Sequence, residues 1–336
     1  MRRLKGLAGA LLMALLLSRP QASAFGAARA MAQWAASVAP ALFPFLALMP
    51  LLTCGEAAAA YERLLGRAMN RLFRLPGAAA PAMVVGMTAG TPAGAIASRD
   101  AAARSGMNRG QLARVAMASA GFSPAFLVGG IGCGMLGSAS MGWKLLEAQL
   151  LTQLTLALLL RRCWMGRTQP VDPGKRDAGE QPIRGAVSAL LTICGYMMFF
   201  GALSAVIGSY LGRAPADALL CLLDVPSGAR RVAALAIPAE RKIVLLAAMD
   251  GFGGACLAAQ GIGALKGCGI PPAEYIGIRL VAAVLSAGYM AALLNMTAGI
   301  DAGLVEAVGG HPFALGALLA ALMAIPVLAF MRRRET

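Results

Sequence analysis

The stretch "MASAGFSPAFLVGGIG", Met117–Gly132, decides how this chain is read. It is apolar enough for a membrane helix, yet Gly121, Ser123 and Pro124 interrupt it and glycines crowd its second half. Proline lacks the backbone N–H that a helix needs, and glycine costs about 1 kcal/mol in a helix interior. A helix broken near its middle is therefore expected. A second such stretch, "LAAMDGFGGACLAAQGIG", Leu246–Gly263, repeats the interruption at Gly251, Gly253 and Gly254. Irregular backbone at membrane depth is tolerated only where protein covers it or where it lines a water-filled cavity.

The rest of the chain places both stretches in a bilayer. Of 336 residues, 59% are hydrophobic and 13% are charged, and the mean hydropathy is +0.70. A soluble domain carries about 25% charged residues. The apolar segments are long and continuous rather than alternating, which argues for helices and against a β-barrel. The fold class expected is an all-α polytopic membrane protein. The net charge of +15 sits mostly in short segments between apolar runs, as the positive-inside rule requires, so no nucleic-acid partner is expected. The seven cysteines form no C-x-x-C pair and most lie within apolar runs, as small core residues do. The single histidine is His311. No metal site, catalytic residue or cofactor is expected, and the chain does not read as an enzyme.

The organisation follows from charge and interruption. An N-terminal transmembrane helix is expected over 1–20, where "MRRLK", a Leu-rich run and Ala22–Ala24 also resemble a signal segment. A first membrane repeat spans 34–160. It opens with a Trp34–Cys54 crossing kinked by Pro40, Pro44 and Pro50, followed by an interfacial amphipathic helix over 57–74. In that helix Tyr61, Leu64, Leu65, Ala68, Met69, Leu72 and Phe73 form one face and arginines the other. Gly77–Ser98 carries Gly86, Gly90, Pro92 and Gly94, which predicts a re-entrant hairpin turning near "AGTPAG". The basic stretch 161–184 reads as a cytoplasmic linker. A second membrane repeat spans 185–296, with its breaks in "LLDVPSGARRVAALAIP" and at Gly251–Gly254. Arg279 lies near one end of the last span of that repeat, where it can snorkel to the interface. A C-terminal transmembrane helix is expected over 313–330.

Two short matches join the halves. Thr91-Pro92-Ala93-Gly94-Ala95 resembles Val225-Pro226-Ser227-Gly228-Ala229, and Gly121-Phe122-Ser123-Pro124-Ala125-Phe126-Leu127 resembles Gly251-Phe252-Gly253-Gly254-Ala255-Cys256-Leu257. Their order agrees in both halves, which predicts an internal duplication. Tracing the basic loops makes the repeats inverted, although Arg213, Arg230, Arg231, Arg241 and Lys242 then fall on the outer side. Inverted repeats with paired broken segments point to a transporter whose site lies where the breaks meet. Glycines allow close backbone approach, and helix starts offer free N–H groups to an anion. The expected substrate-binding residues are Gly90, Thr91, Pro92, Gly94, Gly121, Ser123, Pro124, Asp224, Ser227, Gly228, Asp250, Gly253, Gly254 and Gln260. Arg230 and Arg231 would attract an anion. Asp224 and Asp250 are carboxylates in apolar surroundings, costing on the order of 3 kcal/mol each at membrane depth. That makes them candidates for a coupling proton or cation, or partners for Arg230 or Arg231.

Five stretches in order, "VAPALFPFLALMPLL", "GMTAGTPAGA", "ASAGFSPAFLVGGIG", "LLDVPSGA" and "GFGGACLAAQ", resemble the YlbJ-type sporulation integral membrane proteins, the stage V sporulation protein V group. That group belongs to the nucleoside-recognition (Gate) family, which is similar in architecture to concentrative nucleoside transporters. The resemblance covers about residues 4–330. It implies a secondary transporter in the bacterial cytoplasmic membrane, at the inner forespore membrane, moving dipicolinic acid into the forespore. Asp224 fills the acidic position that the resemblance implies before the second-half turn. Gly251 stands where a serine is usual, and Pro226 where a threonine is usual. Nucleoside or purine transport is the alternative within the same family, and a non-transporting scaffold of a sporulation complex the alternative outside it. The partners implied are a small-molecule anion and the lipid bilayer, and the sequence leaves room for a homo-oligomer.

Overall fold

A computed structural model describes residues 2–169, 182–211 and 213–298, and among these no residue forms a β-strand. The expected C-terminal helix 313–330, most of the linker and His311 lie outside the described residues. The chain opens with α1 (Arg2–Ser18), bent by 98° into α2 (Pro20–Gln33). A π turn over Trp34–Val38 carries α2 into α3 (Ala39–Thr53). The helix thus begins some fourteen residues before the expected crossing at Trp34, because the Ala-rich run 20–33 favours helix and finds a partner. At Gly26 it meets Gly201 of α10 so closely that a Cβ would touch the Gly201 carbonyl.

After a 76° bend comes α4 (Gly55–Ala68), ending in a π turn over Met69–Phe73. Its apolar stripe is divided. Tyr61, Met69 and Phe73 are buried against the protein, whereas Leu64 and Leu72 stay exposed at 62% and 50%. The helix expected to lie at the interface is a packed one, lying over the start of the following hairpin.

That hairpin is α5 (Ala80–Ala89) and α6 (Ala93–Ser105), turning at Gly90–Pro92. Gly90 has φ +71°, a conformation that glycine adopts without strain. The arms pack through Gly86 and Gly94: a Cβ on Gly94 would lie 2.7 Å from the Gly86 Cα. α7 (Arg109–Ala118) follows, started by a reciprocal Asn108–Gln111 capping box. The chain then loses helix at Ser119–Ser123 and resumes as a π segment, Ala125–Cys133, running into α8 (Gly134–Leu136). α9 (Ala139–Leu159) returns along it.

The second half repeats this order. After α10 (Pro182–Tyr210), α11 (Arg213–Leu223) and α12 (Val225–Ala233) form a hairpin turning at Asp224. α13 (Ala239–Phe252) and α14 (Gly254–Ala264) are one stretch interrupted at Gly253, whose φ is +82°. α15 (Pro272–Ala298) returns along it. The first arm of the second hairpin starts at Arg213, nine residues before the expected broken segment at Leu222. The charged Asp217 obscured it in the sequence, and tertiary pairing with Arg231 at 3.2 Å offsets that charge.

Pro182–Tyr210, Ala239–Ala264 and Pro272–Met296 are long and apolar enough to cross a membrane, and up to five spans result if each bent pair counts as one. Cations close helix C-termini, as the helix dipole favours. Arg104 donates to the Thr53 carbonyl at the end of α3, and Lys242 donates to the Ala233 carbonyl at the end of α12.

Candidate functional site

Each break leaves backbone groups that need partners, and the neighbouring break or the returning helix supplies them. Thr91 N donates to the Gly121 carbonyl at 2.7 Å, and Gly121 N donates to Thr91 Oγ1 at 3.2 Å, so the two first-half breaks are bonded to each other. Gln149 on α9 accepts from Phe122 N at 2.7 Å and donates to the Phe122 carbonyl at 2.9 Å. In the second half, Arg279 on α15 donates through Nε to the Phe252 carbonyl at 3.2 Å. The two contacts span the same 27 residues of chain, and Gln149–Phe122 and Arg279–Phe252 stand 130 positions apart. One polar residue at one position of each returning helix closes the break beside it.

Arg279 does more than its counterpart. Its Nη1 donates to the Ala120 carbonyl at 2.8 Å and its Nη2 to the Asp250 carbonyl at 2.9 Å. Ala120 and Asp250 are themselves matched positions, 130 apart. The guanidinium therefore sits between the two breaks and holds the same carbonyl of each. It is only 3% exposed. The expectation that Arg279 snorkels to the interface is corrected: three freed carbonyls attract its donors more than the membrane surface does. The Asp250 side chain, 1% exposed, faces this cation, but neither of its oxygens has a hydrogen-bond partner.

Where the breaks meet there is a cavity of about 250 Å³. The first half contributes Ala89, Thr91, Phe122, Ser123, Phe126 and Gly130; the second contributes Asp224, Val225, Pro226, Gly253, Cys256, Leu257 and Gln260. Ile193 and Met197 of α10, with Ser37, Val38 and Leu42, close it. Three pairs in the lining stand 130 residues apart: Ser123 with Gly253, Phe126 with Cys256 and Gly130 with Gln260. Phe122 and Phe126 stand with ring centroids 5.0 Å apart and form an aromatic wall. Among the described residues no Lys or Arg lines the cavity, and Asp224 is its one acidic side chain.

Of the residues expected at the site, Thr91, Ser123, Asp224, Gly253 and Gln260 line this cavity. Pro92 lines a neighbouring one. Gly94 and Gly228 pack the arms of their hairpins; a Cβ on Gly228 would lie 2.6 Å from the Cys221 Cα. Gly90 and Gly121 are pressed against the partner break and Gln149, Gly254 faces the Leu223 carbonyl, and Pro124 opens the π segment. Ser227 N donates to Asp224 Oδ2 at 3.2 Å. Neither Asp250 nor the two arginines reach the cavity. Arg230 donates to Gln33 Oε1, and Arg231 pairs with Asp217. These contacts occupy charges that the positive-inside count leaves on the wrong side.

The helix starts also differ from expectation. Asp224 caps α12, and Ser123 Oγ accepts from Phe126 N at the start of the π segment. The start of α14 at Gly253–Gly254 has no side-chain cap and borders the cavity. Sequence reasoning missed Phe122 and Phe126 as lining residues, although both lie in "AGFSPAF" at helical spacing; it missed Gln149, which no local pattern marks, and it marked Arg279 but gave it the wrong role.

Compared with known proteins, the chain is similar to the protein named Sporulation integral membrane protein YlbJ of Bacillus subtilis (strain 168). The two are 31% identical over 150 residues, which is 45% of this chain and 37% of that protein. The chain thus matches well under half the length of this curated relative. No family model and no solved structure matches it. The apolar helices, the bent pairs and this similarity together make the chain a polytopic integral membrane protein, helical and free of strands over its described residues.

Proposed function

We propose that the chain is a secondary transporter of a small aromatic carboxylate, most economically dipicolinate, acting in sporulation. The observation that carries this reading is the cavity shared by the broken segments of both halves. Two element sets in the same order, running in opposite senses through the membrane, would place that cavity at the centre of an inverted repeat. A planar ring suits the Phe122–Phe126 wall, and a carboxylate suits the uncapped start of α14, where N–H groups and the helix dipole meet it. The similarity to a sporulation membrane protein supports the physiological setting.

Asp224 then has a defined consequence. A dicarboxylate beside an ionised Asp224 in a small cavity suffers like-charge repulsion, so the substrate enters with a proton on one of the two. Transport is therefore driven by a proton gradient. Nucleoside transport is the second reading, and Asp224 also favours it: a carboxylate, an amide and the three hydroxyls of Ser37, Thr91 and Ser123 in an otherwise apolar cavity suit a neutral heterocycle with donors. Purified protein in liposomes separates the two. Dipicolinate uptake that an imposed proton gradient accelerates and excess uridine does not inhibit is expected. Uridine uptake without dipicolinate uptake would replace this reading with the second.

A further inference from the structure

A second cavity, of about 310 Å³, lies between α6, α10 and α14. Its chemistry is opposite to that of the central one. Arg99 and Lys266 line it, together with the hydroxyls of Ser188 and Tyr196, and no acidic side chain does so among the described residues. Arg99 Nη1 donates to the Ala264 carbonyl, the last residue of α14, at 3.3 Å. Its Nε is buried and has no acceptor.

α14 links the two cavities. Its start at Gly253–Gly254 borders the central cavity and its end at Ala264 borders the second. The negative end of a helix dipole repels an anion, and here two cations stand at that end and reverse the local sign. Gln260 and Ile193 line both cavities and are the common wall between them. Among the described residues the Gln260 amide is held by one 3.4 Å contact to Cys256 Sγ, so turning it aside breaks no strong bond.

We propose that this second cavity is an anion-binding vestibule that takes a small carboxylate on Arg99 and Lys266, with Gln260 and Ile193 as the partition it crosses to the central cavity. The passage to the central cavity rests on the transport reading above; the anion site itself does not. The test places a reporter thiol in the vestibule by Ser188→Cys, in full-length protein whose exposed Cys54, Cys133 and Cys163 are replaced by Ala. In phosphatidylcholine liposomes, a negatively charged methanethiosulfonate is expected to modify Cys at 188 roughly tenfold faster than a positively charged one, as a focused cationic field predicts. Dipicolinate is expected to slow the modification. Arg99→Gln with Lys266→Gln removes both effects, and Lys266→Gln alone, at an exposed position, weakens them without touching the core.

Equal rates for the two reagents, or a preference that survives the double substitution, overturn the vestibule. Loss of dipicolinate protection when phosphatidylglycerol is added would assign the site to a lipid headgroup and overturn the carboxylate assignment. Dipicolinate flux in the same liposomes separates the two claims. Flux without reagent preference removes only the vestibule. Preference without flux removes only the transport reading and leaves an anion site.

Discussion

Arg279 concentrates the chemistry of the breaks in one side chain. Three carbonyls, from Ala120, Asp250 and Phe252, converge on its guanidinium, and the Asp250 carboxylate faces it without a hydrogen bond of its own. Leaving a buried acceptor unpaired costs on the order of 1–3 kcal/mol, and three carbonyls lose their donor when Arg279 is replaced. Arg279→Met is therefore expected to lower the thermal unfolding midpoint of detergent-purified protein strongly, and Asp250→Ala with Arg279→Met to recover part of the loss. A double variant less stable than Arg279→Met alone would count against the pairing. Gln149→Leu leaves Phe122 N and its carbonyl unpaired, each costing on the order of 1–3 kcal/mol when buried; the same measurement checks it. Asp224 tests function rather than stability. Asp224→Asn retains the shape of the cavity and removes its acidic group, so dipicolinate uptake should persist but lose its acceleration by a proton gradient.

At the scale of elements, glycines do two distinct jobs that the sequence does not separate. Gly90 and Gly253 turn the chain with positive φ, and Gly86, Gly94, Gly26 and Gly201 let helices touch. Overpacking a close contact costs about 1–3 kcal/mol. Gly94→Val should therefore separate the arms of the α5–α6 hairpin and lower the yield of folded protein in size-exclusion chromatography. Gly129→Ala, where a Cβ meets nothing within 4 Å, should leave that yield unchanged. The breaks were legible because proline lacks its N–H and glycine tolerates φ values that other residues avoid, both covalent properties of single residues. The reach of α2 was not, because it depends on Gly201, distant in sequence; nor was the first arm of the second hairpin, whose Asp217 meets Arg231 only once the two arms fold together.

At the scale of the molecule, the paired motifs of the two halves meet at one cavity, and the 130-residue spacing of Gly121 and Gly251 recurs in Gln149 and Arg279, the side chains that close the breaks. The aromatic wall makes a further prediction: Phe126→Ala removes one face of the ring site, so dipicolinate uptake should need a higher concentration for half-saturation while folded yield holds. Uptake kinetics in liposomes read this directly. The sequence alone determined the membrane class and the positions of the breaks. Those depend on composition, covalent backbone chemistry and linear order. Only the tertiary structure decided which expected residues share a cavity, that Arg230 and Arg231 turn to Gln33 and Asp217, and that Arg279 is buried between the two breaks. A side chain's electrostatic role depends on which acceptors packing brings within about 3 Å of it, and the carbonyls of residues 120, 250 and 252 come together only when both halves have folded onto each other.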